Sequence, residues 1–185
     1  MVLIIETKNN NVNHLSDEYL MEKVKSGSLD YMSELFQRYN NQILNYIYRL
    51  SGNLEDSQDL TQTVFLRLLK YRKSFNQSKS FKSWMYQVAK NVINSHYQAK
   101  KVNILHVEIP NHETDNDLSD DIQDEKLYKS IDKLSDEYKE LIVLSKFQGL
   151  KYKEIAEILS TTEASIKNKI FRAFDRLRKV YFETE

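Results

Sequence analysis

The sequence predicts an all-α protein of two small helical domains joined by an acidic, flexible linker. Glycine and proline are scarce, with three Gly and one Pro among 185 residues, and 29% of the residues are charged. Such a composition is typical of helical proteins. Apolar residues recur at helical spacing on both sides of residues 102–124. That segment has little periodicity and strong acidic charge, which is typical of a flexible connector.

Charge is distributed unevenly along the chain, although the net charge is zero. Residues 14–101 carry 13 Lys and Arg against 8 Asp and Glu, and residues 127–185 carry 12 against 10. Between them, residues 102–126 carry one basic and eight acidic residues. Two basic lobes flanking an acidic connector favour nucleic-acid binding despite the neutral total. The predicted segments are a tail (1–13), a first domain (14–101), a linker (102–124) and a second domain (125–185).

Four helices are predicted in the first domain. Helical periodicity and capping residues place them at about 16–26, 28–51, 54–72 and 81–99. The long second helix has an inner face of Leu29, Met32, Leu35, Phe36, Tyr39, Ile43, Leu44, Ile47 and Leu50. The third has Leu60, Val64, Leu68 and Tyr71 at 3–4 spacing. Four such helices with short connections can bury one bundle core.

Aromatic and basic residues are interleaved around the start of the fourth helix. Its sequence and the preceding loop, residues 74–80, contain Phe75, Lys79, Phe81, Lys82, Trp84, Tyr86, Lys90, His96, Tyr97, Lys100 and Lys101. This mixture fits single-stranded nucleic acid, whose bases stack on rings while cations follow the backbone. The rings fit a bundle core equally well, and the residues alone leave both interpretations open.

Residues 152–178 have the pattern of a helix-turn-helix. Ile155, Ala156 and Leu159 share a face of the first helix, and Thr162 ends the turn as a candidate N-cap for the second. The second helix carries an apolar stripe at i, i+4, i+7 and i+11, formed by Ile166, Ile170, Ala173 and Leu177. Its cations lie off that stripe, as in a helix that occupies the major groove. An ordinary amphipathic surface helix is the alternative interpretation.

Several classes of function are disfavoured by what the sequence lacks. The chain contains no Cys, so it has no disulfide, zinc–thiolate site or cysteine nucleophile. Because no apolar run approaches the roughly 18 residues of a membrane span or resembles a signal peptide, we expect a cytoplasmic protein. His106 and His112 lie in the acidic linker, where we expect solvated side chains and no metal site.

Three motifs, in this order, resemble segments of bacterial sigma factors. Asp56-Ser-Gln-Asp-Leu-Thr-Gln-Thr-Val-Phe-Leu-Arg-Leu68 resembles the polymerase-binding segment, with its Asp-x-x-Asp-Leu-x-Gln-x-x-Phe core. Ser83-Trp-Met-Tyr-Gln-Val-Ala-Lys-Asn91 resembles the promoter-melting segment, and residues 152–178 resemble the C-terminal helix-turn-helix. The resemblance covers roughly residues 15–100 and 125–182. Lacking the central domain of housekeeping sigma factors, the chain resembles the extracytoplasmic-function (ECF) group.

The resemblance implies a transcription initiation factor that binds core RNA polymerase, reads the −35 element as duplex and captures an unstacked −10 base. Residues 14–101 then correspond to sigma region 2 and residues 125–185 to region 4. The polymerase-binding residues it implies are Asp56, Asp59, Leu60, Gln62 and Phe65. Those for the −10 element are Phe75, Lys79, Ser80, Trp84, Gln87, Lys90, Asn91 and Asn94. Those for the −35 element are Ser165, Lys167, Asn168, Lys169, Arg172 and Arg176.

The implied partners are core RNA polymerase, promoter DNA and an anti-sigma factor, free or membrane-anchored; no cofactor is implied. The chain departs from the family pattern at Ser95 and Gln98, where members often have Asp-x-x-Arg, and at Ser160, where the turn usually has Gly. A left-handed backbone at Ser160 would cost a little free energy.

Two other classes of function remain as alternatives. A helix-turn-helix regulator acting without polymerase would explain residues 152–178 but not the two earlier motifs. An enzyme would need paired carboxylates, for which Asp56 with Asp59 or Glu137 with Glu140 are the candidates. No phosphate loop, nucleophile elbow or metal-ligand cluster accompanies them, so we expect no enzymatic activity.

Overall fold

The computed structural model describes residues 14–104 and 125–183, and all regular structure in them is helical. The N-terminal lobe, residues 14–104, contains α1 (Asp17–Lys25), α2 (Tyr31–Ser51), α3 (Leu54–Lys70) and α4 (Phe81–Ile104). The C-terminal lobe, residues 125–183, contains α5 (Glu125–Asp132), α6 (Asp136–Ile142), α7 (Tyr152–Ile158) and α8 (Glu163–Glu183). A 3-10 turn (Arg72–Ser74) follows α3, and a π-helical turn (Val143–Phe147) extends α6.

The all-α prediction is confirmed for these residues. The predicted tail, residues 1–13, and linker residues 105–124, including His106 and His112, lie outside the described residues. The helix limits differ by more than two residues from the predicted ones at two places. Helix α4 continues to Ile104, beyond the predicted end near Ala99. Helix α2 begins at Tyr31 because the Ser28 amide donates to the Lys23 carbonyl and so closes the end of α1.

Two capping side chains and one glycine fix further helix ends of the N-terminal lobe. The Ser16 hydroxyl accepts a hydrogen bond from the Tyr19 amide at 3.2 Å, as the predicted start of α1 requires. The Asn53 side chain accepts from the Asp56 amide at 2.8 Å and begins α3. Gly52 ends α2 with φ of 70°, a left-handed conformation that costs glycine little.

Apolar stripes on α1 to α4 form the core of the N-terminal lobe. Most of the predicted α2 face is buried, including Met32, Leu35, Tyr39, Ile43 and Ile47. The prediction is wrong for Leu29, which precedes the helix and is 49% exposed, and for Phe36, which is 41% exposed. The Phe36 ring lies at the edge of the stripe and packs edge-on against Phe65 at 4.8 Å.

The C-terminal lobe contains the predicted helix-turn-helix as α7 and α8. The stripe of Ile166, Ile170, Ala173 and Leu177 is buried, as the spacing predicts. The Thr162 hydroxyl accepts from the Ser165 amide at 3.2 Å, so Thr162 caps α8. Ser160, in the turn, has φ of 51° and therefore adopts the left-handed backbone that usually favours glycine.

The two lobes pack directly against each other. One cluster of buried apolar side chains runs through both, joining the core of α1 to α4 with residues of α6 to α8. At the seam the Arg49 guanidinium lies 3.8 Å from the centre of the Phe147 ring, on the π-helical turn, and donates to the Tyr128 hydroxyl at 3.1 Å. The Tyr86 hydroxyl donates to the Gln148 side chain at 2.8 Å. The lobes therefore form a closed arrangement.

Candidate nucleic-acid and polymerase interfaces

Helix α8 presents a row of polar and basic side chains to solvent. The buried stripe on its opposite face orients it, and Thr162 caps its beginning. Among the residues expected at the −35 element, Lys167, Asn168, Arg172 and Arg176 are exposed, while Ser165 and Lys169 are half-buried. Cations along one face and an amide near its N-terminal end can contact phosphates and base edges of duplex DNA.

The sequence analysis did not predict two features of α8, the exposure of Phe171 and the ion pair of Lys169. Phe171 is 75% exposed although it follows buried Ile170, and an exposed ring on this face can contact a thymine methyl group. Its position off the stripe was the signal that could have found it. Lys169, in turn, is held by the Glu137 carboxylate of α6 at 2.6 Å. The structure thus gives Glu137 a partner that the sequence did not indicate.

The loop before α4 is anchored by buried rings. Phe75 is 1% exposed and Phe81 is 0% exposed, and Trp84 packs partly buried against both at ring-centre distances of 5.3 and 6.3 Å. The expectation that Phe75 contacts −10 DNA is therefore corrected, because its ring belongs to the core and fixes the loop. Lys79 is exposed, and Ser80 begins α4 by accepting from the Ser83 amide at 3.3 Å.

The C-terminal lobe covers one part of the α4 face that is expected to meet the −10 element and leaves the other part exposed. The Gln87 amide donates to the Glu157 carbonyl of α7 at 2.6 Å, and the Lys90 ammonium lies 2.7 Å from the Glu140 carboxylate of α6. Asn91 and Asn94, further along the helix, are exposed. The C-terminal lobe thus covers half of the polar residues that the sequence assigned to this helical face.

A hydrogen-bond network surrounds Glu140. Its second oxygen accepts from the Tyr46 hydroxyl at 3.1 Å, and the Tyr46 ring stands edge-on to Tyr86 at 5.2 Å. Burial, and then the nearby Glu140 charge, raise the pKa of Tyr46 well above its usual range, so this hydroxyl remains a donor. Beside it, a cleft of about 390 Å³ between the lobes is lined by residues that include Lys90, Asn94, Tyr97, Asp136 and Glu140.

The polymerase-binding residues implied by the resemblance lie on both faces of α3. Asp59 and Gln62 are exposed on one side. Leu60 and Phe65 are 8% and 5% exposed and belong to the core, so they hold the helix in place, and exposed Leu66 at 65% is the larger apolar surface there. Asp56 is half-buried, and its carboxylate lies 2.7 Å from the Lys100 ammonium of α4.

Neither a membrane-spanning helix nor a metal-binding cluster is found within residues 14–104 and 125–183. No helix there is both long and apolar enough to cross a membrane. Likewise, no group of three or more His, Cys, Asp or Glu in these two ranges is arranged to hold a metal ion.

Comparison with known families matches both lobes. The Sigma-70 region 2 family model matches residues 35–102, and the Sigma-70, region 4 model matches residues 124–177. The RNA polymerase sigma factor YlaC of Bacillus subtilis is 30% identical over 81% of this chain and 91% of its own length. The ECF RNA polymerase sigma factor SigW of the same organism is 28% identical over 86% of this chain and 93% of its own length.

Two solved structures share the fold. CnrH, in complex with the cytosolic domain of CnrY, superposes with a TM-score of 0.72 at 17% identity, covering 91% of this chain and 99% of CnrH. The sigma factor RpoE from Bartonella quintana, in complex with the anti-sigma factor NepR, gives a TM-score of 0.70 at 18% identity, covering 83% of this chain and 98% of RpoE.

Proposed function

Because this chain belongs to the ECF group of sigma-70 RNA polymerase sigma factors, we propose that its two lobes divide promoter reading between them. The chain is a transcription initiation factor that binds core RNA polymerase and directs it to specific promoters. In the proposal, residues 14–101 act as region 2, residues 125–185 act as region 4, and residues 102–124 connect them.

The C-terminal lobe reads the −35 element through α8. The observation that carries this assignment is the capped helix with Lys167, Asn168, Arg172 and Arg176 exposed opposite its buried stripe. Residues near the N-terminal end of such a helix reach base edges in the major groove. Asn168 and Lys169 therefore select sequence, with Phe171 beside them, and Lys167 and Arg172 hold phosphates.

The N-terminal lobe captures an unstacked base of the −10 non-template strand. Lys79, Ser80 and Trp84 supply a cation, a hydroxyl and a ring at the start of α4, and Asn91 and Asn94 continue the polar face. Unstacking a base costs a few kcal/mol, which stacking and hydrogen bonds in the pocket offset. Gln87 and Lys90 join this surface once the C-terminal lobe has left it.

The closed arrangement must open for both elements to be read together. The two elements are centred near positions −35 and −10 of the promoter. They therefore lie about 25 base pairs apart, which is roughly 85 Å at 3.4 Å per base pair. A compact chain of 185 residues has a radius of gyration of only about 16 Å. The contour length of the 20 residues between Ile104 and Glu125 reaches about 70 Å. We therefore assign the closed form to the free chain and an open form to the polymerase-bound chain.

Core polymerase docks on the exposed side of α3, where Asp59 and Gln62 face solvent. Exposed Leu66 adds apolar surface beside them. An anti-sigma factor, free or membrane-anchored, is a further partner, as in the complex of RpoE with the anti-sigma factor NepR. A cytoplasmic location and the absence of catalytic activity and cofactor complete the proposal.

The test is run-off transcription from a randomised promoter library with core polymerase. The chain should select promoters, and Asp59→Ala with Gln62→Ala should weaken core binding by about 1.5–3 kcal/mol for each charge-assisted hydrogen bond that the substitutions remove. Gln58→Ala, an exposed neighbour on α3, is the matched control and should bind normally. Operator binding by the chain alone, with no polymerase-dependent transcript, would instead support the regulator that acts without polymerase.

A further inference from the structure

Helix α1 lies before residue 35, where the region 2 match begins, and neither the motifs nor the proposed function gives it a role. In the structure it reaches both ends of the loop that leads into α4. The Lys25 ammonium donates to the Phe75 carbonyl at 2.9 Å, at the start of the loop. The Glu18 carboxylate accepts from the Phe81 amide at 2.9 Å, at its end.

Both contacts are charge-assisted hydrogen bonds between a side chain and the backbone. The Phe81 amide lies in the first turn of α4, where backbone amides have no partner within the helix. The Phe75 carbonyl lies between the 3-10 turn and the loop. Each bond is therefore directed at a backbone group that the local structure leaves without a partner, and a charged partner makes it stronger than a neutral one.

Between these two points the loop is short and locally ordered. The Asn76 side chain accepts from the Ser78 amide at 3.0 Å, and the Lys79 amide donates to the Asn76 carbonyl at 2.9 Å. The rings of Phe75 and Phe81 are buried at a centre distance of 6.2 Å. With both ends held, the positions of Lys79 and Ser80 follow from the placement of α1.

We infer that Glu18 and Lys25 are positioning residues for −10 recognition. The inference rests on the proposed function, in which Lys79, Ser80 and Trp84 form the pocket for the unstacked base. A binding constellation must be held within roughly 0.5 Å of its productive geometry. Glu18 and Lys25 supply that constraint from outside the pocket, because each holds one backbone end of the loop.

The test uses holoenzyme assembled from core polymerase and the full chain. Glu18→Leu and Lys25→Met remove the two hydrogen bonds, whereas Glu18→Gln and Lys25→Arg keep an acceptor and a donor. Lys23→Met is the matched control, since Lys23 lies on α1 but contacts the Tyr19 ring and not the loop. Permanganate reactivity measures opening of a selected promoter, of a variant with one −10 base changed, and of a variant with one −35 base changed.

Loss of either bond should reduce discrimination against the changed −10 base about tenfold, while −35 discrimination, core affinity and helical content stay at the wild-type level. The Gln and Arg variants should restore most of the discrimination, and Lys23→Met should not alter it. An equal loss of −10 and −35 discrimination would overturn the inference, since it would show a general structural role. Unchanged −10 discrimination would also overturn it.

Amide hydrogen exchange of the free chain separates this inference from the function on which it rests. Glu18→Leu should accelerate exchange of the Phe81 amide at least about tenfold, and Glu18→Gln should do so much less. An unaltered exchange rate of the Phe81 amide in Glu18→Leu would overturn the inference, even if the wild-type holoenzyme transcribed normally. A wild-type holoenzyme that opens no promoter would overturn the proposed function, and the positioning role with it, whatever the exchange rates.

Discussion

The two faces assigned to DNA differ in what covers them. On α8, Asn168, Arg172 and Arg176 are exposed in the closed arrangement, and Lys169 is paired with Glu137 of its own lobe. On α4, Gln87 and Lys90 are bonded to the other lobe. The −35 face can therefore meet duplex DNA in the closed form, whereas the −10 face is incomplete until the lobes separate.

This difference indicates how a free sigma factor can avoid unproductive binding. Single-stranded nucleic acid is attracted by any surface of rings and cations, with little dependence on sequence. The carboxylate of Glu140 gives the Lys90 cation an internal partner, which competes with a nucleic-acid phosphate for it. The −35 face stays exposed, so its cations can contact the phosphates of any duplex, and only base-edge contacts distinguish a promoter.

The largest expected effect comes from the carboxylate that joins the lobes. Glu140→Gln removes the charge that binds Lys90 at 2.7 Å, so the open fraction of the free chain should rise. Apparent affinity scales with the binding-competent fraction. Charge-assisted bonds contribute about 1.5–3 kcal/mol, so a −10 single strand should bind the free chain about tenfold more tightly or better. Fluorescence anisotropy with a labelled oligonucleotide measures this change.

The neighbouring carboxylate of α6 provides the control for that experiment. Glu137→Gln releases Lys169 on the −35 helix, 32 positions along the chain, and leaves the contact between Glu140 and Lys90 in place. It should leave −10 binding unchanged. If both variants strengthened binding equally, the gain would reflect net charge and not opening of the lobes.

The second-largest expected effect is on the −35 sequence preference set by α8, and it amounts to about 1–3 kcal/mol for each base contact. Asn168→Ala should change the −35 preference of the holoenzyme if, as proposed, the exposed Asn168 amide near the start of α8 contacts base edges. Transcription of a promoter library by the variant holoenzyme measures the change, and Asn94→Ala on α4 is a comparison that should leave the −35 preference intact. A −35 preference altered by Arg172→Ala and not by Asn168→Ala would reverse the two roles.

Arg172→Ala should have a more uniform effect. If its guanidinium holds a phosphate, its loss weakens binding about equally across sequences and lowers the salt slope by about one unit. Titration of duplex −35 DNA at several salt concentrations gives that slope. Glu183, exposed at the end of the same helix, serves as a control, and Glu183→Ala should not reduce the slope.

The smallest effect is on stability and not on DNA reading. Ser160 has φ of 51°, so Ser160→Gly should stabilise the chain by up to about 1 kcal/mol by relieving the left-handed backbone. Gly149→Ala is the opposite case, because Gly149 has φ of +61° with no atom close to an added Cβ, and it should destabilise through backbone strain alone. Thermal unfolding measures both. A destabilising Ser160→Gly would show that the hydroxyl contributes more than the strain costs.

Local patterns predicted the elements well. The i, i+4, i+7, i+11 stripe of α8, the caps at Ser16 and Thr162 and the turn at Ser160 depend on residues close in sequence, and all are confirmed. The aromatic loop was ambiguous because rings suit both a core and a stacking surface. Burial of Phe75 depends on where α1 and α4 meet, which no local spacing records.

Contacts between residues far apart in the sequence, between the lobes and within one, could not be predicted for the same reason. Glu140 lies 50 positions from Lys90 and 94 from Tyr46, so the sequence showed only an acidic residue on a helix. Glu18 and Lys25 lie 63 and 50 positions from their loop partners. The roles assigned to Asp59, Gln62 and the α8 side chains come from motif resemblance and remain predictions.

The distance between the two lobes tests the central claim most directly. The native chain has no Cys, so Asn41→Cys on α2 and Lys153→Cys on α7, both exposed, allow two labels to be attached at defined sites. Single-molecule energy transfer should give a short distance in the free chain and a long one, matching promoter elements about 85 Å apart, in the promoter-bound holoenzyme. Glu140→Gln should increase the long population of the free chain. A wild-type free chain that already shows only the long distance would contradict the account.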